Sequence, residues 1–435
     1  MFECIISSII ISTLILFSRY IEKKWINPLT IFCVLWDFIV ILGGLKLFGM
    51  YNYSNRTFII ILIGVLGFFL GYILAKRYRF VFNKEAIEHR KEATYEYRKL
   101  IVIILVIASI VVYAAMSVAV LSLLMKGYST ATIRESYRPN SVSAKFDALT
   151  VIYGSKLVRM IEMYIARPVM YISMAIFCIE VVKERKLSLL SILCLVDVGL
   201  YTFCNFGRIT ILILMIDLLV CYSLIGKAIS KKQAKKMRKY VIAIVVAIVI
   251  LLIYLSSKRW EDENFNFLQS VYGYFAIPVP LLSHWTEIVD SQNVSTYGMS
   301  FFQGLFAIVL TIIGRFGVTN KVYDLASLYN YEYVEQFLKI FPNQRYNAFV
   351  SMFFAFYLDF RYFGVFIGSF MFGLLISYSY KFAKKGNLLS MSYFLLMMQA
   401  LVKSFVRWEF VVGPYCFAFI IIRFCLKNKD NKIKV

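Results

Sequence analysis

The chain has 435 residues, 60% hydrophobic and 17% aromatic, with a mean hydropathy of +0.72. A soluble domain is about half apolar, so this composition belongs in lipid and leaves no separate soluble domain. The net charge of +23 would suggest nucleic acid in a soluble protein. Here the Lys and Arg gather between apolar runs, the pattern that orients membrane proteins, and no nucleic-acid partner is expected.

In chain order, the first apolar run, 2–18, opens Met-Phe-Glu with no basic n-region and no small-residue cleavage site, so it reads as a span and not as a signal peptide. The second follows Pro28 to about Leu47, and the short loop to Thr57 holds only Arg56. Spans follow at about 58–75 and 100–125. A polar segment, 126–164, precedes a fifth span after Pro168. Spans six and seven form a tight hairpin around Cys204-Asn205-Phe206-Gly207-Arg208, and an eighth covers about 240–257. A long polar and aromatic interruption, 258–362, comes before spans at 363–380, 387–406 and 410–426.

Alternate loops sort by charge. Segments 19–28, 76–99, 182–187, 227–239, 381–386 and the end from Arg423 hold more than half of the 48 Lys and Arg. The segment 258–362 is near neutral. The positive-inside rule then puts the C-terminus in the cytoplasm, and the N-terminus and both large loops outside. The expected fold is an all-α polytopic membrane protein, one integral membrane domain over 1–435. It has about eleven spans, 126–164 as first outer loop and 258–362 as large outer loop with short helices, compatible with a GT-C-like arrangement. Segments 301–314 and 346–358 are apolar but short, the length of re-entrant or interfacial pieces. If both crossed, the count would be thirteen.

Eight Cys lie in or beside apolar runs without paired spacing and read as small core residues. With only His89 and His284, a His-rich metal site is excluded. No Walker A, dinucleotide loop, Gly-x-Ser-x-Gly, internal repeat or paired broken helices are present. Asp37 and Asp197, inside spans, are expected to pair structurally within the bundle.

The outer face uses Arg far more than Lys: Arg134, Arg138, Arg159, Arg167, Arg208, Arg259, Arg315, Arg345, Arg361 and Arg407. A planar guanidinium fits phosphate oxygens bidentately, so a lipid-level pyrophosphate is a natural ligand. The alternative for each is snorkelling or a local ion pair. Arg208 favours function, because its hairpin has apolar runs on both sides and no adjacent acid. His284, with Glu287 and Asp290 nearby, is either a base for a sugar hydroxyl or a satisfied loop histidine. Asp359 either pairs with Arg361 or Arg345 or acts as a base. Outer aromatics including Tyr357 suit an interface belt and also a sugar ring.

The Gly127…Ile133-Arg134 segment, the Gly207-Arg208 hairpin and Asn347-Ala348-Phe349…Tyr357-Leu358-Asp359-Phe360…Gly364 together resemble the bacterial oligosaccharide repeat-unit polymerases, the O-antigen or capsule (Wzy-type) family. That family commonly has Asn, Tyr, then Asp-Phe-Gly before a span. Arg361 stands where the Gly is usual and Phe349 where Tyr is common. The resemblance implies a glycosyltransferase at the outer face of the bacterial inner membrane. It would move the growing glycan from undecaprenyl diphosphate to the next lipid-linked repeat unit, with no cofactor, metal or nucleotide sugar. It implies membrane lipids and lipid-linked oligosaccharides as partners, with a chain-length regulator and flippase of the same pathway. Arg208, Arg345 and Arg134 would hold diphosphates, with Arg315 a further candidate, His284 a base, and Asp359 and Tyr357 substrate contacts. An O-antigen ligase or a lipid-linked oligosaccharide flippase remains as an alternative.

Overall fold

Apolar runs become helices here because a chain in lipid must satisfy its backbone internally. A computed structural model describes residues 2–77, 95–128, 130, 133, 152–185, 187–225, 267–314, 316–317 and 319–428, and these are mostly helical. Six helices are long and apolar enough to cross a membrane: α1 (Phe2–Glu22), α2 (Pro28–Leu45), α3 (Arg56–Arg77), α4 (Lys99–Met125), α5 (Lys156–Glu184) and the later Ser351–Ala383. Shorter apolar helices are α6 (Leu189–Asn205) and α7 (Ile209–Ile225), and later Leu388–Lys403 and Gly413–Phe424. Between these sets lie α8 (Phe267–Ala276), α9 (Pro278–Ser291), α10 (Met299–Gly314) and α11 (Lys321–Ser327). Ser351–Ala383 is α12, Leu388–Lys403 is α13 and Gly413–Phe424 is α14. The eighth expected span, 240–257, lies outside the described residues.

Helix starts carry local capping. Asn27 accepts the Thr30 N–H at 2.8 Å ahead of Pro28, whose missing N–H costs nothing in a first turn. Ser155 and Ser188 cap α5 and α6 in the same way. α6 ends at Phe206 in the left-handed region (φ 48°), and α7 begins at once after Arg208, so the hairpin is tight.

The chain divides into two compact units. The first holds Met1–Phe80, Ile250–Lys381 and Ala400–Gly413, and the second Val81–Val249, Phe382–Gln399 and Pro414–Val435. In the first, α1 packs on α2 and α3, while α8 and α9 pack on α2. A strand pair, β2 (Leu338–Phe341) with β3 (Gln344–Tyr346), joins the end of α2 through Tyr51 N–H to Ile340 O at 3.0 Å. In the second, α4, α5 and α6 pack together, and the short strands β1 (Tyr95–Tyr97) and β4 (Leu426–Asn428) pair antiparallel.

Each unit has a carboxylate among its helices, satisfied by serines and not by cations. Ser8 and Ser12 of α1 donate to Asp37 of α2 at 2.8 and 2.7 Å. Ser109 of α4 and Ser173 of α5 donate to Asp197 of α6 at 2.6 and 2.7 Å. A polar group in hydrocarbon must find such partners, so these bonds fix the rotation of helices that apolar packing leaves free.

Close backbone contact sets α3 on α12. A Cβ at Gly71 would stand 2.0 Å from Phe370 O, and one at Gly373 2.1 Å from Phe68 O. Small residues let membrane helices approach this closely. Gly71→Ala is expected to lower the thermal stability of the detergent-solubilised protein by about 1–3 kcal/mol. Gly199→Ala, where an added Cβ meets nothing within 4 Å, is expected to leave stability unchanged or raise it by up to ~1 kcal/mol. Thermal unfolding of the pair checks both.

Candidate functional site

The first unit converges on a break in α12. Phe360 (φ −145°, ψ 32°) and Arg361 (φ 56°, ψ −138°) are non-helical. The piece before the break, Ser351–Asp359, is buried throughout and folds back on the piece after it. A Cβ at Gly364 would lie 2.1 Å from Phe356 O, and one at Gly368 2.6 Å from the Phe356 ring. A piece of nine residues rises only about 14 Å, half of a hydrocarbon core. The helical part of segment 346–358 is therefore too short to span a hydrocarbon core by itself.

The residues at the break hold two other helices. Asp359 accepts N–H groups of Ser300 at 3.0 Å and Phe301 at 2.9 Å, in the first turn of α10, and the Thr296 hydroxyl at 2.5 Å. A carboxylate suits the positive end of a helix. Arg361 serves the opposite end of α9: Nη2 donates to Val289 O at 3.0 Å, Nη1 to Val294 O at 2.6 Å, and Nε pairs with Asp290 at 2.9 Å. The chain beyond α10 comes back to where it left, since Asn330 donates to Ser300 Oγ and Gln303 Oε1 at 2.7 Å each. Segment 301–314 and its return thus make a helical hairpin.

Around Asp290 the two arginines meet. Arg56, first residue of α3, pairs with Asp290 at 2.7 Å, and Tyr357 donates its hydroxyl to the same carboxylate at 2.9–3.0 Å. Both guanidiniums stand over the Tyr357 ring, 5.8 and 5.6 Å from its centroid. One carboxylate between two guanidiniums leaves a net positive charge, and both arginine side chains are about a third or less exposed. The donors of Arg361 are committed to carbonyls and to Asp290. Arg56 spends Nη2 on Asp290, and its guanidinium has no other hydrogen bond among the described residues.

Nearby on α9, Ser283 accepts the Ser54 N–H at 3.0 Å and donates to Glu287 at 3.1 Å. Ser283, Glu287 and Asp290 recur at helical spacing, so Glu287 lies on the face that receives the loop before α3. His284 is exposed on α9, its ring edge-on to Trp285 at 5.0 Å. Partial burial lowers its pKa, opposed by Glu287, a shift that favours the neutral imidazole.

The other expected site residues fall elsewhere. Arg345 is exposed on β3, opposite Lys339 of β2, with no bond to the Asp290 cluster. Arg208 immediately precedes α7 in the second unit. In that unit Arg167 makes a two-bond pair with the buried Glu162 at 2.8 and 3.0 Å. Arg407 is spent on Glu335 at 2.6 Å. Arg134 and Arg315 lie outside the described residues. Asp359 and Tyr357 are brought to one place, but Asp359 caps a helix and is not paired with Arg361 or Arg345. Sequence reasoning passed over Arg56. The available signal was a lone base in an acid-free loop immediately before an apolar run.

Comparison with family models, with curated proteins and with solved structures finds no match to this chain.

Arg361 adopts a conformation that glycine enters freely and other residues enter at a cost of about 1–3 kcal/mol. Its three anchoring bonds offset that strain. Arg361→Ala keeps the strain and loses the bonds, whereas Arg361→Gly loses the bonds and relieves the strain. Both are expected to unfold at lower temperature than wild type, with Ala the less stable by about 1 kcal/mol; thermal unfolding in detergent decides the order.

Proposed function

We propose that the protein polymerises lipid-linked oligosaccharide repeat units in a bacterial inner membrane, extending an O-antigen, capsule or exopolysaccharide. The observation that carries this reading is the Arg56–Asp290–Arg361 cluster over Tyr357, a net cationic site about a third exposed. It stands at the start of an apolar helix, where a lipid-linked diphosphate would present its charge.

In the proposed reaction the bond between the anomeric carbon and the diphosphate oxygen breaks, and its electron pair stays on the diphosphate. A guanidinium fork fixed beforehand stabilises that developing charge without reorganising. Arg56 supplies the fork and Arg361 holds Asp290 and the backbone in place. The acceptor hydroxyl of the next repeat unit forms the new bond to the anomeric carbon. Its proton passes to Glu287 or to neutral His284, both on the same short helix.

Arg56→Ala is expected to leave the protein in the membrane while cutting chain extension about 100-fold or more, the usual cost of one such donor. Arg56→Lys should fall between, because an ammonium lacks the fork. A glycan gel of the complemented deletion strain reads the result: loss of polymerisation leaves a single repeat on the final carrier. A strain with no repeat there would indicate a flippase or ligase and refute the reading.

A further inference from the structure

We infer that the end of α2 and the β2–β3 strand pair form a binding surface for anionic phospholipid headgroups, separate from the Asp290 cluster. This inference does not depend on the proposed function. The surface has two parts. The first is the turn after α2, Lys46-Leu47-Phe48-Gly49. Lys46 (φ 44°) and Phe48 (φ 58°) are both left-handed there, a costly conformation for residues with large side chains. The turn leaves Leu45, Leu47 and Phe48 exposed. The second is the strand pair, where Lys339 and Arg345 stand directly opposite each other and both are exposed.

The two parts form one surface. Tyr51 N–H bonds Ile340 O at 3.0 Å, and a Cβ at Gly49 would touch Pro342 at 3.4 Å. Tyr272 fixes the turn from beneath, donating to Leu42 O at 2.7 Å and accepting from Leu47 N–H at 3.0 Å.

Charge and depth select the occupant. Residues 42–52 and 338–346 contain Lys46, Lys339 and Arg345 and no acid. Like charges opposite each other across a strand pair destabilise it, and neither Lys339 nor Arg345 has an acidic partner among the described residues. The pair therefore stands ready for an external anion. Lys46 Nζ sits 4.6 Å from the Tyr53 ring centroid and 3.0 Å from Asn52 Oδ1, which keeps its charge at this edge. α2 has 18 apolar-rich residues, about 27 Å of rise, close to one hydrocarbon core. Its end is therefore at headgroup level, where exposed Leu and Phe enter the acyl boundary and the cations meet phosphate. A protein partner would not require that depth.

The test uses the full-length protein in vesicles of phosphatidylcholine containing one-fifth photoactivatable phosphatidylglycerol, with photoactivatable phosphatidylcholine as the parallel probe. Crosslinks are mapped by mass spectrometry. Labelling of residues 42–52 and 338–346 by phosphatidylglycerol should exceed that by phosphatidylcholine by about fivefold or more, the effect of a single basic residue near a charged surface. The preference should shrink at high salt. Lys339→Gln with Arg345→Gln should abolish it, with Lys46→Gln as a third variant read separately. All three side chains are at the surface, and an unchanged size-exclusion profile confirms the fold. Excess inorganic diphosphate should not displace the phosphatidylglycerol label. Displacement would mean a soluble-anion site, and equal labelling by both lipids or by the double variant would mean no headgroup preference. Either result overturns the inference.

Discussion

The first unit depends on one arrangement of opposite charges across a chain break. Asp359 and Arg361 are two residues apart, and each meets the helix end of complementary sign. In a continuous helix residues 359 and 361 would point to nearly opposite faces, about 200° apart, and could not meet two neighbouring helix ends. The break is therefore the condition for α9 and α10 to be tied to one point. The folded-back arm is its consequence, because the chain must turn and bury Phe356 against Gly364 and Gly368.

The same break produces the cationic cluster. Arg361 leans on Asp290 to secure α9, and that carboxylate is then shared with Arg56 and the Tyr357 hydroxyl. Scaffold and candidate chemistry are thus one network. Arg361 belongs to both, but its donors face carbonyls, while Arg56 has an edge left for a ligand. In a low-dielectric setting such a division matters, since a guanidinium already held by two carbonyls and a carboxylate gains little from a further anion.

One buried acid in each unit is met in the same chemical way. Asp37 and Asp197 each take two serine hydroxyls from neighbouring helices. Hydroxyls satisfy a carboxylate without adding a second charge to be desolvated, which suits helix interiors where charge pairs are costly. Cationic partners serve other acids, Arg167 pairing with buried Glu162 within α5 and Arg407 with Glu335.

Sequence alone determined that this is a helical membrane protein, because runs of apolar residues near bilayer length admit few other structures. It also located the α6–α7 hairpin, since Gly207-Arg208 interrupts two continuous apolar runs. The residue pattern at Asp359-Phe360-Arg361 was visible as unusual, with Arg in a place that its resemblance gives to Gly. Its meaning was not visible. Asp359 reads as a base or an ion-pair partner until the first turn of α10, about sixty residues earlier, is seen to end on it. Arg56 reads as an incidental loop base until Asp290, over two hundred residues away in the chain, lies beside it. Helix formation depends on neighbours a few residues apart and is written locally. The cluster depends on which helix ends meet, and that is settled only when glycine contacts, buried serines and the break in α12 bring distant segments together.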